Sequence, residues 1–386
     1  MSRASIRPSP NAPSMILRHG MSTGCALMAT DSSLTSEPRA RGFWDPETDN
    51  SLVCIDVHDE THDVKSFTLA SPQGKKIAFE AGQYFLFEPE IDDEENGRCY
   101  SISSSPLRQN AITVTVKRVA GGKVSNWLHD NLKPGMELRA SGPMGKFIRP
   151  SVQKYLMLSG GSGITPVMAM VREMADKAEP VDVVFLHAGR SPLDLLFREE
   201  LSVLARRMKG LRLIFLPEVL TGDPAWPGLS SRISTALLEL VVPDIAERSV
   251  LCCGPAPFMA AARKISVELG VSPERYLEES FDAGVIDELP APAEVQAVAV
   301  TYKVQFAKQG KVLDVGAHQT VLSCAKKTGV RLPASCANGI CGTCKSKLIS
   351  GSVDMKHDGG IRQREIDAGF FLPCCSKPLS DLVIDR

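Results

Sequence analysis

Apolar positions along this chain change their spacing twice. From Leu52 to about Pro150 they come in short runs separated by turn residues: LVCIDV, SFTLA, QYFLFEP, AITVTVKRV and GMELRASG. Runs of this length, rich in β-branched and aromatic residues, predict a small antiparallel barrel. One helical piece interrupts it, SNWLHDNL, with Ser125 placed to cap its N-terminus. After Pro150 apolar strands alternate with amphipathic helices. KYLMLS is followed by a helix from Pro166, VDVVFLHAG by one through Leu204, LRLIFLPE by one from Ser231, and SVLCCG by one from Pro257. That alternation predicts βαβ units on a parallel sheet. The rhythm stops at VIDELPAPAEVQA, which joins acids, Ala and two prolines without an apolar period and reads as a linker. The pattern therefore divides the chain into a barrel over 43–150, an α/β domain over 151–284, a linker over 285–298 and a third module over 299–386.

Composition sharpens this division. At 386 residues the chain exceeds one ordinary core. Its 43% hydrophobic and 23% charged residues suit a soluble fold, and no apolar run approaches a bilayer span. A net charge of −1 argues against a nucleic-acid surface. The charge is uneven, however: residues 299–386 carry 13 Lys/Arg against 7 Asp/Glu, a net of +6 that leaves −7 elsewhere. The first thirty residues hold Arg3, Arg7 and Arg18 and no acid before Asp31, as a targeting peptide would. Pro8, Pro10 and Pro13 spoil an amphipathic helix there, and Met15 or Met21 is an alternative start, so residues 1–42 read as a disordered extension.

The eleven cysteines are clustered rather than dense. Five of them, Cys336, Cys341, Cys344, Cys374 and Cys375, fall within forty positions, which suggests a metal site in a reducing compartment and a cytoplasmic protein. Cys336, Cys341 and Cys344 follow C-x4-C-x2-C spacing, and Cys374 comes 29 residues later. This is the spacing of plant-type ferredoxins, in which four thiolates surround a [2Fe-2S] cluster. Small residues Ala337, Gly339 and Gly342 let backbone amides approach the sulfurs, and no charged side chain lies between Leu332 and Cys344. A four-cysteine structural zinc, the alternative, usually shows two paired ligand knuckles. CANGICGTC, KSKLISGSVD and LPCCSKP together resemble a plant-type ferredoxin over about 88 residues. The resemblance implies an α+β β-grasp fold and favours Cys374 over Cys375 as fourth ligand.

Two further signals concern a flavin and a nicotinamide. Arg98-Cys99-Tyr100-Ser101 offers a guanidinium for a pyrophosphate, a phenol ring for an isoalloxazine and a hydroxyl for its N5 edge. Gly121-Gly122-Lys123-Val124-Ser125 opens the helix as a Gly-rich phosphate turn. Gly160-Gly161-Ser162-Gly163-Ile164-Thr165-Pro166 follows a strand directly, with Thr165 able to cap and Pro166 at the first helical position. These motifs resemble the ferredoxin–NAD(P)+ reductase family in its RxYS, GxxS and GxGxxP elements. The resemblance implies FAD at Arg98, Tyr100, Ser101, Gly122, Lys123, Val124 and Ser125, and a nicotinamide dinucleotide at Gly161, Gly163, Thr165 and Pro166. It also places Cys253 and Gly254, from Cys252-Cys253-Gly254-Pro255, beside the nicotinamide, so that Tyr100, Ser101 and Cys253 are the candidate catalytic residues. Cys252 reads as a buried strand residue. Phe281 is either an aromatic group near the flavin or a plain core residue. Around the cofactor's 2′ end, Arg190 and Ser191 suit a phosphate while Asp194 suits a free ribose diol. NADH is favoured over NADPH because relatives joined to a ferredoxin module commonly use it.

Hydride brings two electrons and a two-iron cluster accepts one at a time, so a flavin between them completes a converter. The 335 residues from Leu52 onward resemble reductase components of Rieske-type non-haem iron oxygenases, including those that demethylate glycine betaine and related quaternary amines; hybrid-cluster protein reductases share much of the pattern. The implied function is electron delivery from NAD(P)H through FAD and a [2Fe-2S] cluster to a partner oxygenase. A reductase of a hybrid-cluster or haem protein, and a zinc-bound docking protein without redox activity, are the competing readings.

Overall fold

The computed structural model describes residues 42–92, 94–281, 300–330, 332–334, 339, 342–357 and 359–386. They lie in one compact unit, Arg41–Arg386. The expected extension up to residue 41, the expected linker over 285–298, and Cys336 and Cys341 lie outside the described residues.

Strands β1 (Ser51–Thr61), β2 (Val64–Ala70), β3 (Tyr84–Phe87), β6 (Arg98–Ser101), β7 (Ile112–Lys117) and β8 (Glu137–Met144) form a six-stranded sheet in the order β6-β3-β8-β1-β2-β7. Every pairing in it is antiparallel. A bridge between Ile102 and Val114 joins its two ends, which closes the barrel. Between β3 and β6 lies a small hairpin, β4 (Glu90–Ile91) and β5 (Glu94–Glu95). Alternation along the strands turns Phe67, Leu69, Phe85, Phe87, Ile112, Val114 and Val116 into one core with Leu128 and Leu132 of the helical segment. Helix α1 (Lys123–Asn131) starts two residues earlier than its sequence suggests. Gly121, at φ +71°, turns the chain sharply, so Gly122 becomes the cap. The Ser125 hydroxyl then reaches back and accepts the Val119 N–H at 3.2 Å instead of capping.

The second sheet runs β11-β10-β9-β12-β13 and is parallel throughout. Its elements in order are β9 (Lys154–Gly160), α2 (Ile164–Lys177), β10 (Asp182–Gly189), α3 (Arg198–Arg207), β11 (Leu211–Pro217), α4 (Thr235–Val241), β12 (Ser249–Cys253), α5 (Ala256–Glu268) and β13 (Tyr276–Glu279). One face packs on α2 and α3 through Tyr155, Met157, Val167 and Leu201; the other packs on α4 and α5 through Leu156, Leu158, Leu238 and Met259. From β9 the chain builds outward to β11 and then returns to the other side as β12. The crevice where the order reverses therefore lies at the ends of β9 and β12. The α2 start corrects another expectation: Gly163 is the cap, and the Thr165 hydroxyl, inside the first turn, donates to Ser162 O at 3.1 Å. Likewise α4 begins at Thr235 rather than Ser231, because Ser234 supplies the capping oxygen to Leu237 N–H.

The third sheet, β15-β14-β20-β16-β18, is mixed, with β14 and β20 parallel. It is built from β14 (Thr301–Phe306), β15 (Lys311–Gly316), α6 (Val321–Lys327), β16 (Ser346–Ser350), β17 (Val353–Met355), α7 (Gln363–Asp367), β18 (Phe370–Phe371), β19 (Ser376–Pro378) and β20 (Leu382–Ile384), β17 pairing with β19 alongside. Val321, Cys324 and Ala325 of α6 pack on Val304, Phe306 and Val315, as a β-grasp arrangement requires.

Just before β12, Arg248 is 1% exposed, bonds the Asp182 and Asp244 carboxylates through four contacts of 2.8–3.1 Å, and also donates to Tyr155 O at 3.1 Å and Asp182 O at 3.3 Å. This guanidinium holds the Asp244 carboxyl down at about 2. We expect Arg248→Ala to lower stability by about 3 kcal/mol, because both carboxylates keep some solvent after their partner is lost; calorimetric unfolding checks this.

Candidate functional site

Strand β6 carries Arg98, Cys99, Tyr100 and Ser101, and it is held in place by β3, with Tyr84 opposite Ser101 and Phe87 opposite Arg98. The Tyr100 ring lies 6.3 Å from that of Phe87, and burial pushes its phenol pKa up. At one end of the strand the buried Ser101 hydroxyl donates to Glu279 Oε2 at 3.4 Å. At the other end Arg98 Nη1 donates to Ala334 O at 3.3 Å, and Cys99 Sγ lies 3.7 Å from Thr343 Oγ1. Three residues of extended chain span roughly 10 Å. One short strand thus touches the nucleotide domain at one end and the cysteine-bearing module at the other.

Glu279 ends β13 and stands in register with Cys253 of β12. Part of the residue reaches solvent, but burial of its carboxyl pushes its pKa up to about 8. Sequence reasoning missed this residue. Its only local signal was the Glu-Ser-Phe segment, where attention fell on Phe281. Cys253 is fully buried and its thiol is pushed well up by desolvation, so it acts there as a small neutral group. Cys252 faces the opposite core, as a strand residue. Phe281 is 39% exposed, which overturns the plain-core alternative; nothing around a core Phe would leave that much surface.

Neither glycine turn gives its helix a side-chain cap, and at α2 a 3-10 turn, Gly161–Gly163, leads in, with Ile164 N–H donating to Gly161 O and Ser162 O. No side chain caps α1, and an added Cβ at Gly122 would stand 2.7 Å from Ser125 Oγ. Lys123 and Val124 follow as the first helical residues. At α2 the cap is Gly163, again without a side-chain bond and without an acid in the first turn. A Cβ there would come within 2.4 Å of Cys253 O, so the β9 and β12 turns meet only because Gly163 has none. Gly161 and Pro166 flank this turn at the sheet's reversal point, and Gly254 packs against Gly160. Uncapped amides and helix dipoles of this kind fit phosphate, so the residues suit both dinucleotides. At the 2′ end, Ser191 N–H and Oγ donate to Asp194 Oδ2 at 3.0 and 2.7 Å, while Arg190 is exposed.

In the third module Cys344 and Cys374 are buried among Leu322, Ala334, Ile361 and Leu372. Gly339 N–H donates to Cys374 Sγ at 3.2 Å. Cys375 Sγ lies 3.7 Å from Leu372 O and also beside Gly339, where an added Cβ would stand 2.7 Å from it. A thiol in an apolar pocket that receives a backbone amide fits an iron–sulfur ligand.

Comparison with known proteins agrees with this geometry. Residues 51–148 match the oxidoreductase FAD-binding domain, 157–264 the oxidoreductase NAD-binding domain and 304–379 the 2Fe-2S iron-sulfur cluster binding domain. The glycine betaine monooxygenase reductase subunit of Pseudomonas aeruginosa is 41% identical over 350 residues, covering 86% of this chain and 94% of that protein. The stachydrine N-demethylase reductase subunit of Rhizobium meliloti is 36% identical, covering 89% of this chain and 98% of that protein. The solved structure of phthalate dioxygenase reductase, at 24% identity and TM-score 0.54, covers 88% of this chain and 99% of its own and shares the fold. The cofactors are therefore FAD, a nicotinamide dinucleotide and a [2Fe-2S] cluster. Among the described residues no helix is long and apolar enough to cross a membrane.

The raised Glu279 pKa has a signed consequence. Between about 4.5 and 8 the folded state holds a proton that the unfolded state has released, so this group makes stability fall as pH rises through that window and level off above it. Glu279→Gln should remove that slope. Melting temperatures of the two proteins are expected to diverge from pH 5 to pH 8 in favour of the variant.

Proposed function

The chain belongs to the family of monooxygenase reductase subunits that join FAD-binding, NAD-binding and 2Fe-2S domains, and on that premise we propose that it delivers single electrons from NADH to a Rieske-type oxygenase. It is an NAD(P)H-dependent flavin and iron–sulfur oxidoreductase. The observation that carries the proposal is β6, which meets Glu279 of the nucleotide domain and the Ala334 carbonyl and Thr343 hydroxyl of the cluster module within one strand. When bound, FAD and the cluster turn one hydride into two single-electron transfers, so that NADH and two oxidised acceptors become NAD+, a proton and two reduced acceptors.

The chain's residues have separable tasks in this reading. The amides at Gly161–Thr165 bind the nicotinamide dinucleotide's pyrophosphate, and those at Gly122–Ser125 bind that of FAD. Arg98 has five N–H donors, so it can keep Ala334 O on one and offer the others to phosphate. Tyr100 covers the ring system, and Ser101 with Glu279 orients the reacting edge. Near pH 7 burial keeps the Glu279 carboxyl protonated while its Oε2 accepts the Ser101 hydroxyl, which keeps charge out of the place where hydride moves. The Cys253 thiol and Gly254 close the crevice to water. The ligands are Cys336, Cys341, Cys344 and Cys374, the last supported by its amide contact.

An Asp194 carboxylate, held by Ser191, would repel a 2′-phosphate bound beside it, which supports NADH. The glycine betaine and stachydrine relatives support a partner that demethylates a quaternary amine. Cysteines kept as thiols for a cluster support a cytoplasmic location.

Cys341→Ser should leave NADH-dependent flavin bleaching intact and abolish electron delivery to a reconstituted oxygenase; loss of the bleaching would defeat the modular order. Arg98→Ala removes a charge-assisted bond of about 1.5–3 kcal/mol and should weaken FAD binding roughly ten- to hundredfold. Titration of the apoprotein with FAD measures it. Steady-state kinetics should give a higher kcat/KM with NADH than with NADPH, and Asp194→Ala should narrow the gap.

A further inference from the structure

The seam between the barrel and the cluster module is charged. Lys345, next in sequence to Cys344, has a side chain only 15% exposed. Its Nζ lies 2.7 Å from Glu365 Oε1 in its own module and 3.5 Å from Glu88 Oε1 of the barrel. Glu88 follows β3 directly, is 9% exposed and also lies 3.8 Å from Arg139 Nε. The half-buried Arg362 feels the charges of Arg364, Glu365, Glu47 and Glu88. Beside these charges Leu86 of β3 packs toward Gly342, where an added Cβ would stand 3.5 Å from Leu86 Cδ2.

Lys345 is fixed at both ends. Its N–H donates to Gly342 O at 2.9 Å and its carbonyl accepts Arg386 Nη2 at 2.7 Å, which locks its backbone into the cluster module. Its ammonium then crosses to the strand that pairs with β6. The module's net +6 and the −7 of the rest of the chain are opposite in sign.

The geometry points to Lys345 as a positioning residue: its bridge from Glu365 to Glu88 holds the cluster loop against β3 and β6 and thereby sets the rate of electron passage from the flavin barrel to the cluster. This inference rests on the electron order proposed above. Each passage takes one electron from reduced flavin and adds it to the oxidised cluster, and no bond to Lys345 forms or breaks.

The test uses the holoenzyme and approaches the bridge from both modules, with Lys345→Gln and Glu88→Gln. Glu88 lies outside the cluster module, so its variant changes docking without touching the cluster's own fold. In stopped flow, flavin reduction by NADH should stay unchanged in both variants while the following cluster reduction slows by about tenfold, a usual size for the coupling of a buried charge pair. The reduced cluster's electron paramagnetic resonance spectrum should be unaltered, and hydrogen exchange over 342–350 should rise in both. Lys345→Arg should restore the rate. Wild-type cluster reduction in both Gln variants, or unchanged exchange, overturns the inference. So does an altered resonance spectrum in Lys345→Gln combined with a silent Glu88→Gln, which would make Lys345 a residue of the module's fold alone. A wild-type holoenzyme whose cluster NADH never reduces would instead defeat the electron-transfer reading, and this inference with it.

Discussion

The Ser101 to Glu279 hydrogen bond is the contact on which the arrangement turns, because it ties the end of a barrel strand to the end of a parallel-sheet strand. Ser101 is buried, so parting the two would cost its hydroxyl this hydrogen bond. Strand β6 is in turn fixed by its ladder to β3, so its far end, Arg98 and Cys99, presents itself to the cluster module at a set distance. The strand shares this task with Arg172, whose Nη1 donates to Ser103 O at 2.6 Å, and with the Arg108–Asp176 pair across the same boundary. A strand is stiff enough to keep a donor side and an acceptor side about 10 Å apart, where a loop would let them drift.

Electrostatics divides the same region into a neutral middle and receptive ends. Burial pushes the Glu279 carboxyl up to about 8 and the Cys253 thiol well up, so both stay uncharged near neutral pH. A neutral enclosure suits the transfer of hydride, since a fixed charge there would either draw water or need a counterion. The glycine turns at Gly122 and Gly163 do the opposite work for phosphates. They present helix starts without a side-chain cap and without an acid in the first turn that would repel the ligand's charge.

What was legible in the sequence follows from how local each feature is. RCYS, GGKVS, GGSGITP and CANGICGTC each place several chemical groups within one turn or strand, so short segments disclosed their sites. Glu279 was not legible, because its partner Ser101 is 178 positions away and only the folded sheet brings them together. The helix starts were misplaced for a related reason. Ser125 and Thr165 looked like caps, but a side-chain oxygen at the cap would fill the space a phosphate needs, and the fold uses glycine there instead. Where no phosphate turn precedes the helix, at α4, a serine does cap, only three residues beyond the expected one.

The charge asymmetry between modules was visible from composition, yet its use was not. A basic ferredoxin-like module looks unsuited to electrostatic steering until the acidic body of the same chain is recognised as one of its partners. Lys345, with its side chain enclosed between Glu88 and Glu365, spends its charge inside the molecule. Lys347, Lys356 and Lys377 remain exposed on the same module. Buried charge pairs fix a geometry, whereas exposed ones act over distances set by salt. The module can therefore hold a definite position on its own barrel while still presenting a positive surface to an outside acceptor, and the two interactions need not compete for the same lysine.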